Sequence, residues 1–135
     1  MAGINSTVFI TQYSGHSTDI LYTCSLDNVD AIVCIGGDGT FSEIFNGLVV
    51  RTAKDAAIDY NDCEVILPTP SIPIGVVPGG STDTMAYCFH GTSDIETAVL
   101  LIILGNLFFL LYVRINSFRV QELKMHMPCP FDRQD

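Results

Sequence analysis

Positive charge is scarce in this 135-residue chain, which holds 6 Lys and Arg against 15 Asp and Glu and carries a formal net charge of -9 at neutral pH. This balance argues against nucleic acid as a partner, because phosphate backbones are bound by basic patches. Within residues 1–106 the only fixed cations are Arg51 and Lys54. A polyanionic ligand bound to that stretch must therefore rely on backbone amides and a divalent cation.

Other common signals are also missing. The five cysteines include no C-x-x-C pair, and the three histidines form no H-E-x-x-H motif, which predicts reduced thiols and no zinc site. No basic segment followed by an apolar core marks a signal peptide at the N-terminus, so we expect a cytoplasmic protein. The longest apolar run, residues 98–113, is interrupted by Gly105 and Asn106 and falls short of the ~20 residues of a membrane-spanning helix.

The most informative stretch is I-V-C-I-G-G-D-G-T at residues 32–40. Four apolar residues ending at three glycines predict a buried strand that runs into a tight turn. Thr40 and Glu43 have the spacing of a capping box, which predicts that a helix begins there. The apolar face of this helix follows the i, i+3, i+4 spacing and comprises Phe41, Ile44, Phe45, Leu48 and Val49.

The turn itself has the composition of a phosphate-binding loop. Gly36, Gly37 and Gly39 would allow positive φ and a close approach of the backbone to a ligand, and free amides at a helix start attract phosphate. Asp38 lies in the middle of the turn, where its carboxylate could meet a metal ion or accept a proton. The same residues are also compatible with an ordinary strand-to-helix turn that binds nothing.

A second turn of the same type follows residues 74–77, a short apolar strand. It has the sequence P-G-G-S-T-D at residues 78–83 and leads into a predicted helix over residues 84–90. If the two strands are parallel neighbours, both turns lie at the carboxyl edge of the sheet, where open α/β sheets bind ligands. Ser81 could cap the helix, and Asp83 could order the turn through its side chain.

Strands and helices alternate along the chain, which predicts an α/β fold with a Rossmann-like open parallel sheet and helices on both faces. A capping box at Ser93 and Glu96 predicts a last helix to about residue 104. We expect a partial catalytic domain over residues 6–106 and a divergent C-terminal tail over residues 107–135. The other predicted elements are strands over residues 6–13, 30–35, 65–67 and 107–113 and helices over residues 17–26 and from the first turn to about residue 50.

The sequence G-G-D-G-T at residues 36–40 resembles the signature of the diacylglycerol kinase catalytic domain superfamily, which includes sphingosine, ceramide and diacylglycerol kinases and, more distantly, NAD kinases. The resemblance extends over about residues 6–106. It is closest to ceramide kinases in residues 29–34, 41–43, 46–52, 80–83 and 91–98.

This resemblance implies a lipid kinase that uses ATP and Mg²⁺ and transfers the γ-phosphoryl group to the primary hydroxyl of ceramide or a related sphingoid lipid at a membrane surface. It implies that Asp38 is the general base and a candidate Mg²⁺ ligand. The implied nucleotide-binding residues are Gly36, Gly37, Gly39, Thr40 and Glu43 in the first turn and Gly79, Gly80, Ser81, Thr82 and Asp83 in the second.

Three alternatives remain open at this stage. The acceptor could be sphingosine or diacylglycerol, or the enzyme could resemble an NAD kinase. The family pattern also includes an earlier strand with an Asn-Pro loop and a later, largely β domain, so we expect this chain to be a fragment that lacks activity by itself. A catalytically inactive nucleotide-binding fragment is thus the third alternative. The sequence does not identify a protein partner.

Overall fold

The computed structural model describes residues 3–62 and 64–105, which form two strands and four helices. In chain order the elements are α1 (His16–Thr23), β1 (Ile32–Gly36), α2 (Asp38–Asp55), β2 (Ile74–Pro78), α3 (Thr84–His90) and α4 (Ile95–Ile103).

The two strands are parallel neighbours, as the sequence predicted. Their register runs from Ile32 opposite Ile74 to Gly36 opposite Pro78. Both strands therefore end at the same edge of the sheet, and each passes directly into one of the glycine-rich turns. Helices flank the sheet, which confirms the predicted α/β architecture.

The hydrophobic core lies between one face of the sheet and the helices. Cys34 and Val76 face each other in the register and are both buried, while the α2 residues predicted to face inward are buried or packed against this cluster. On the opposite face of β1 the side chains of Val33 and Ile35 are 45% and 72% exposed. The buried members of the core cluster are Leu21, Cys34, Phe41, Leu48, Ile74, Val76 and Ala86.

Helices α1 and α2 run side by side in the same direction. The start of α1 at Gly15 contacts Glu43 in the second turn of α2, and the carbonyl of Cys24 at the end of α1 contacts Arg51. Gly47 allows the close approach, because a Cβ atom there would lie 3.0 Å from Leu21 Cδ1. The N-terminus of α1 therefore lies at the same end of the molecule as the N-terminus of α2.

Two predicted strands are wrong. Residues 6–13 and 65–67 form no strand in the structure, and Val8 and Ile10 are 77% and 79% exposed. Apolar, β-branched composition favours a strand only when a neighbouring strand satisfies its backbone groups. Among the described residues, the sheet contains β1 and β2 alone.

Several helix boundaries also differ from the prediction. Helix α2 continues to Asp55 because the buried Ala53 extends its apolar stripe by one more turn. Helix α4 is capped by Asp94 rather than Ser93, since the Asp94 carboxylate accepts the N–H of Thr97 at 2.8 Å. Leu100, an apolar residue of α4, is 59% exposed.

The structure also shows the exposure of three cysteines and the length of the helices. Cys34 is buried, Cys24 is partly buried and Cys88 is exposed. No helix within residues 3–62 and 64–105 has the length and apolar character needed to cross a membrane. The predicted strand over residues 107–113 and the rest of the tail lie outside the described residues.

Candidate functional site

The two glycine-rich turns touch each other at the carboxyl edge of the sheet. A Cβ atom built on Gly80 would lie 2.5 Å from Gly37 Cα, and one on Gly79 would lie 3.3 Å from Gly36 N. Such distances leave no room for a side chain at Gly80. The predicted proximity of the two turns is confirmed, and glycine is required where their backbones meet.

Glycine in the first turn is explained by lack of room for a side chain at Gly36, and not by unusual backbone angles. Helix α2 begins at Asp38, and its N-cap Gly37 has an extended conformation with φ -89°. The glycines with positive φ lie elsewhere in the described chain, so the turn does not use the left-handed conformation that its glycines would allow. A Cβ atom on Gly36 would lie 2.9 Å from Thr40 Oγ1, whereas Gly39 faces open space.

The predicted capping box of Thr40 and Glu43 is also wrong, because α2 begins two residues before Thr40. Glu43 instead reaches across to α1. Its Oε1 atom accepts the backbone N–H of Gly15 at 2.9 Å and the hydroxyl of Ser14 at 3.4 Å. The Glu43 carboxylate therefore satisfies an orphan amide at the start of α1 and places negative charge at the positive end of that helix.

The Asp38 carboxylate bridges the first turn to α3. Its Oδ1 atom accepts the N–H of Met85 at 2.9 Å, and its Oδ2 atom accepts the N–H of Thr84 at 3.2 Å. The bond from Met85 is the main cause that lowers the pKa of Asp38 below its ordinary value of 3.8. Asp38 is therefore ionised at neutral pH, and its Oδ1 atom retains a lone pair for a further partner.

The second turn is closed by its own carboxylate. Asp83 Oδ1 accepts the N–H groups of Gly80 at 2.9 Å and Gly79 at 3.3 Å, which confirms the prediction that Asp83 orders this turn. Ser81 does not cap α3, whose N-cap is Asp83. The backbone from Gly79 to Thr82 is exposed and accessible to a ligand.

Charge is distributed unevenly between the two ends of the molecule. Asp38, Glu43 and Asp83 gather at the carboxyl edge, while Arg51 and Lys54 lie in the last turns of α2 at the far end. In the described part of the chain, no group of three or more His, Cys, Asp or Glu side chains could hold a metal ion. Mg²⁺ at this edge would be held by Asp38 together with phosphate oxygens of a ligand, which is a common arrangement for this ion.

Two contacts that shape the site escaped the sequence reading. The bond from Gly15 to Glu43 joins residues 28 positions apart, and the bonds from α3 to Asp38 join residues 46 and 47 positions apart. Local spacing carries no signal for such long-range bonds.

Comparisons with known proteins place the chain in a family. The family model described as "Diacylglycerol kinase catalytic domain" matches residues 1–108. The chain is 41% identical to human ceramide kinase over 106 residues, covering 78% of this chain and 20% of that protein. It is 30% identical to human ceramide kinase-like protein over 133 residues, covering 78% and 24% of the two chains.

A plant relative extends the comparison. Sphingoid long-chain bases kinase 1 of Arabidopsis thaliana is 33% identical over 108 residues, covering 79% of this chain and 13% of that protein. The chain thus spans a quarter or less of the length of these relatives. Because the family model covers most of the chain, the chain belongs to the diacylglycerol kinase catalytic domain family.

Proposed function

We propose that this chain forms the nucleotide-binding part of a lipid kinase that transfers the γ-phosphoryl group of ATP, with Mg²⁺, to the primary hydroxyl of ceramide or a related sphingoid lipid. The observation that carries the proposal is the contact between two glycine turns at the ends of parallel neighbouring strands, with the ionised Asp38 between them. Similarity to human ceramide kinase supports the choice of acceptor.

Each turn has a role in this proposal. The first turn, residues 36–40, presents backbone at the start of α2 and binds phosphate, and the open space at Gly39 gives the ligand access. The second turn, residues 79–83, forms the other wall. Glu43 acts on the site indirectly, by holding the start of α1 beside it.

Asp38 is the proposed acceptor of the proton from the lipid hydroxyl. The amide bonds that lower its pKa make it a weaker base, but they also keep it ionised and oriented. Phosphoryl transfer depends mainly on positioning and on stabilisation of charge. A fixed carboxylate that orients the hydroxyl and accepts its proton late in the transfer is sufficient for this chemistry.

The proposed cellular setting follows from the acceptor. Ceramide and sphingoid lipids reside in membranes, so the enzyme must reach a membrane surface to find its substrate. We place the protein in the cytoplasm with peripheral contact to a membrane.

Nucleotide binding is tested directly on the 135-residue chain. Isothermal titration calorimetry with ATP and Mg²⁺ should show binding to one site, and NAD titrated in the same way should bind more weakly. Absence of ATP binding by a folded chain would contradict the proposal. Preference for NAD would favour an NAD-kinase-like function instead.

Acceptor choice is tested in a chimera in which this chain replaces the matching segment of human ceramide kinase. Labelled ATP is supplied with ceramide, sphingosine, diacylglycerol or NAD, and we expect labelled ceramide phosphate to dominate. Asp38→Asn in the chimera should lower kcat by ~10²–10⁴, the usual contribution of a general base. A chimera that binds ATP but phosphorylates none of the acceptors would favour a non-catalytic nucleotide-binding role.

A further inference from the structure

Helix α3 lacks the cap that its own sequence should supply. Asp83 stands at the N-cap position but makes no capping bond, because its carboxylate turns back to the amides of Gly79 and Gly80. The first N–H groups of a helix have no partner within the helix. At Thr84 and Met85 those groups bond to Asp38 of the first turn.

This arrangement divides two tasks between two aspartates. Asp83 fixes the internal shape of the second turn, and Asp38 fixes where that turn sits relative to the first. The backbone contact between Gly37 and Gly80 demands such control, since a Cβ atom on Gly80 would already lie 2.5 Å from Gly37 Cα. A small outward movement of α3 would separate the two glycines and open the space between the turns.

We propose that Asp38 is a positioning residue for the second glycine turn: by capping α3 from the opposite turn, it holds the two walls of the nucleotide site at their binding distance before the ligand arrives. This role is separate from proton transfer, and its consequence for ATP rests on the proposed function. One carboxylate can serve both roles, because the Oδ1 atom that accepts the N–H of Met85 retains a lone pair for a further partner.

The two roles predict different measurements. Loss of a general base lowers kcat and leaves ATP affinity unchanged. Loss of the positioning role frees the amides of Thr84 and Met85 and weakens ATP binding. Both effects can be measured on a chain that does not catalyse phosphoryl transfer. Asp38→Ala removes both acceptors, whereas Asp38→Asn retains one carbonyl oxygen. Asn should therefore preserve part of the positioning role and none of the base.

The chain supplies a matched control at Asp94. Its carboxylate caps α4 by accepting the N–H of Thr97 at 2.8 Å and the Thr97 hydroxyl at 2.7 Å. Asp94→Ala thus also removes one aspartate and its two helix-start bonds, but at a helix that is not part of the nucleotide site. General destabilisation should be comparable in Asp38→Ala and Asp94→Ala, and only the former should affect the turns.

The decisive experiment is amide hydrogen exchange, followed by NMR on the 135-residue chain without nucleotide, for the wild type and the three variants. In Asp38→Ala the amides of Thr84 and Met85 should exchange about tenfold faster, the size expected for loss of a helix cap. Asp38→Asn should show a smaller increase. Asp94→Ala should accelerate Thr97 and leave Thr84 and Met85 unchanged.

Calorimetry with ATP and Mg²⁺ then tests the consequence. Asp38→Ala should lower affinity by about tenfold and Asp94→Ala should not. Because Asp38 is also the candidate Mg²⁺ ligand, the hydrogen exchange measured without nucleotide and metal is what separates the positioning role from metal binding. Unchanged exchange at Thr84 and Met85 in Asp38→Ala would overturn the positioning role, as would equal acceleration at the amides of β1 and β2, which would mark a global effect. If exchange behaves as expected but the folded wild type binds no ATP, the proposed function fails and the positioning role stands.

Discussion

The two ends of the α1–α2 helix pair are held by groups of opposite charge. At the carboxyl edge of the sheet, the Glu43 carboxylate accepts the amide of Gly15 at the start of α1. At the other end, Arg51 Nη1 donates to the carbonyls of Leu21 and Cys24, at 2.6 Å each. The charge of each side chain is opposite in sign to the partial charge of the helix end that it contacts.

The two ends of the helix pair therefore have different roles, one in stability and the other in the proposed ligand binding. The far end places Arg51 on helix carbonyls, where it holds α1 and α2 together. The carboxyl edge uses its carboxylates to order glycine backbone and has no fixed cation among the described residues. The site proposed to bind a polyanion is therefore built from amides and acids, and substitutions at the two ends should have different consequences.

The largest expected effect is from Gly80→Val. The new side chain would collide with the backbone of Gly37, so the two turns must separate. We expect ATP binding to be lost and the free energy of unfolding to fall by about 1–3 kcal/mol, as for overpacked sites. Calorimetry and urea unfolding measure the two quantities.

Gly39→Ala is the matched control for the stability measurement on Gly80→Val. A Cβ atom there meets nothing within 4 Å, so stability should hold or rise by up to ~1 kcal/mol. Unchanged ATP affinity in Gly80→Val would remove the second turn from the site.

Removal of Mg²⁺ should have the next largest effect. Since the described part of the carboxyl edge holds no Lys or Arg, only the metal can neutralise the phosphates against Asp38, Glu43 and Asp83. ATP affinity should fall below detection when EDTA replaces Mg²⁺ in the titration. Equal affinity in both buffers would show that an unrecognised cation serves the site.

At the far end, Arg51→Met should destabilise the fold without changing ATP affinity. It removes two charge-assisted bonds to the end of α1, which should cost about 2–3 kcal/mol in urea unfolding. Lys54→Met is the control, because Lys54 in the same helix lies over the Tyr22 ring at 4.2 Å and should cost less than ~1 kcal/mol. An ATP affinity that falls with Arg51→Met would break the separation between the two ends.

Glu43→Ala should cost about 1–2 kcal/mol, since it leaves an amide at the start of α1 without an acceptor. Glu43→Gln keeps an oxygen for Gly15 and should cost less. Urea unfolding of the two variants, with the exposed Glu96→Ala as a reference, measures the contribution of this cross-helix cap. Equal stability of Glu43→Ala and the wild type would show that water replaces the carboxylate.

The smallest effect concerns pH. The pKa of Asp38 is lower in the folded chain than its ordinary value of 3.8, so its contribution to stability is fully present above that value and is lost as the pH falls through the lower, folded pKa. The stability difference between wild type and Asp38→Asn should therefore narrow in strong acid. Acid titrations of both proteins, followed by circular dichroism, test this; a constant difference would contradict it.

The sequence predicted the elements whose own signals lie within a short window of residues. The parallel pair β1 and β2, helix α3 and the inward face of α2 follow from apolar spacing and glycine turns within short windows. The capping pattern at Thr40 failed because α2 starts at Asp38, a residue that spacing alone assigns to the turn.

The parts that escaped prediction depend on distant partners. Residues 6–13 have strand composition, yet whether they form a strand depends on a neighbour outside their own window. Asp38 looked like a free carboxylate, and its bonds to α3 became visible only in three dimensions. The assigned base, metal and nucleotide roles of the site residues stay predictions.

The burial of Cys34 makes its thiol a probe of how often the core opens. Its side chain is 1% exposed, and burial raises the pKa of the thiol to about 11. The native thiol is thus both sheltered and protonated, so an alkylating reagent can modify it only while β1 moves away from the helices. The rate at which Cys34 becomes labelled, with the exposed Cys88 as the fast reference, reports how often the core opens.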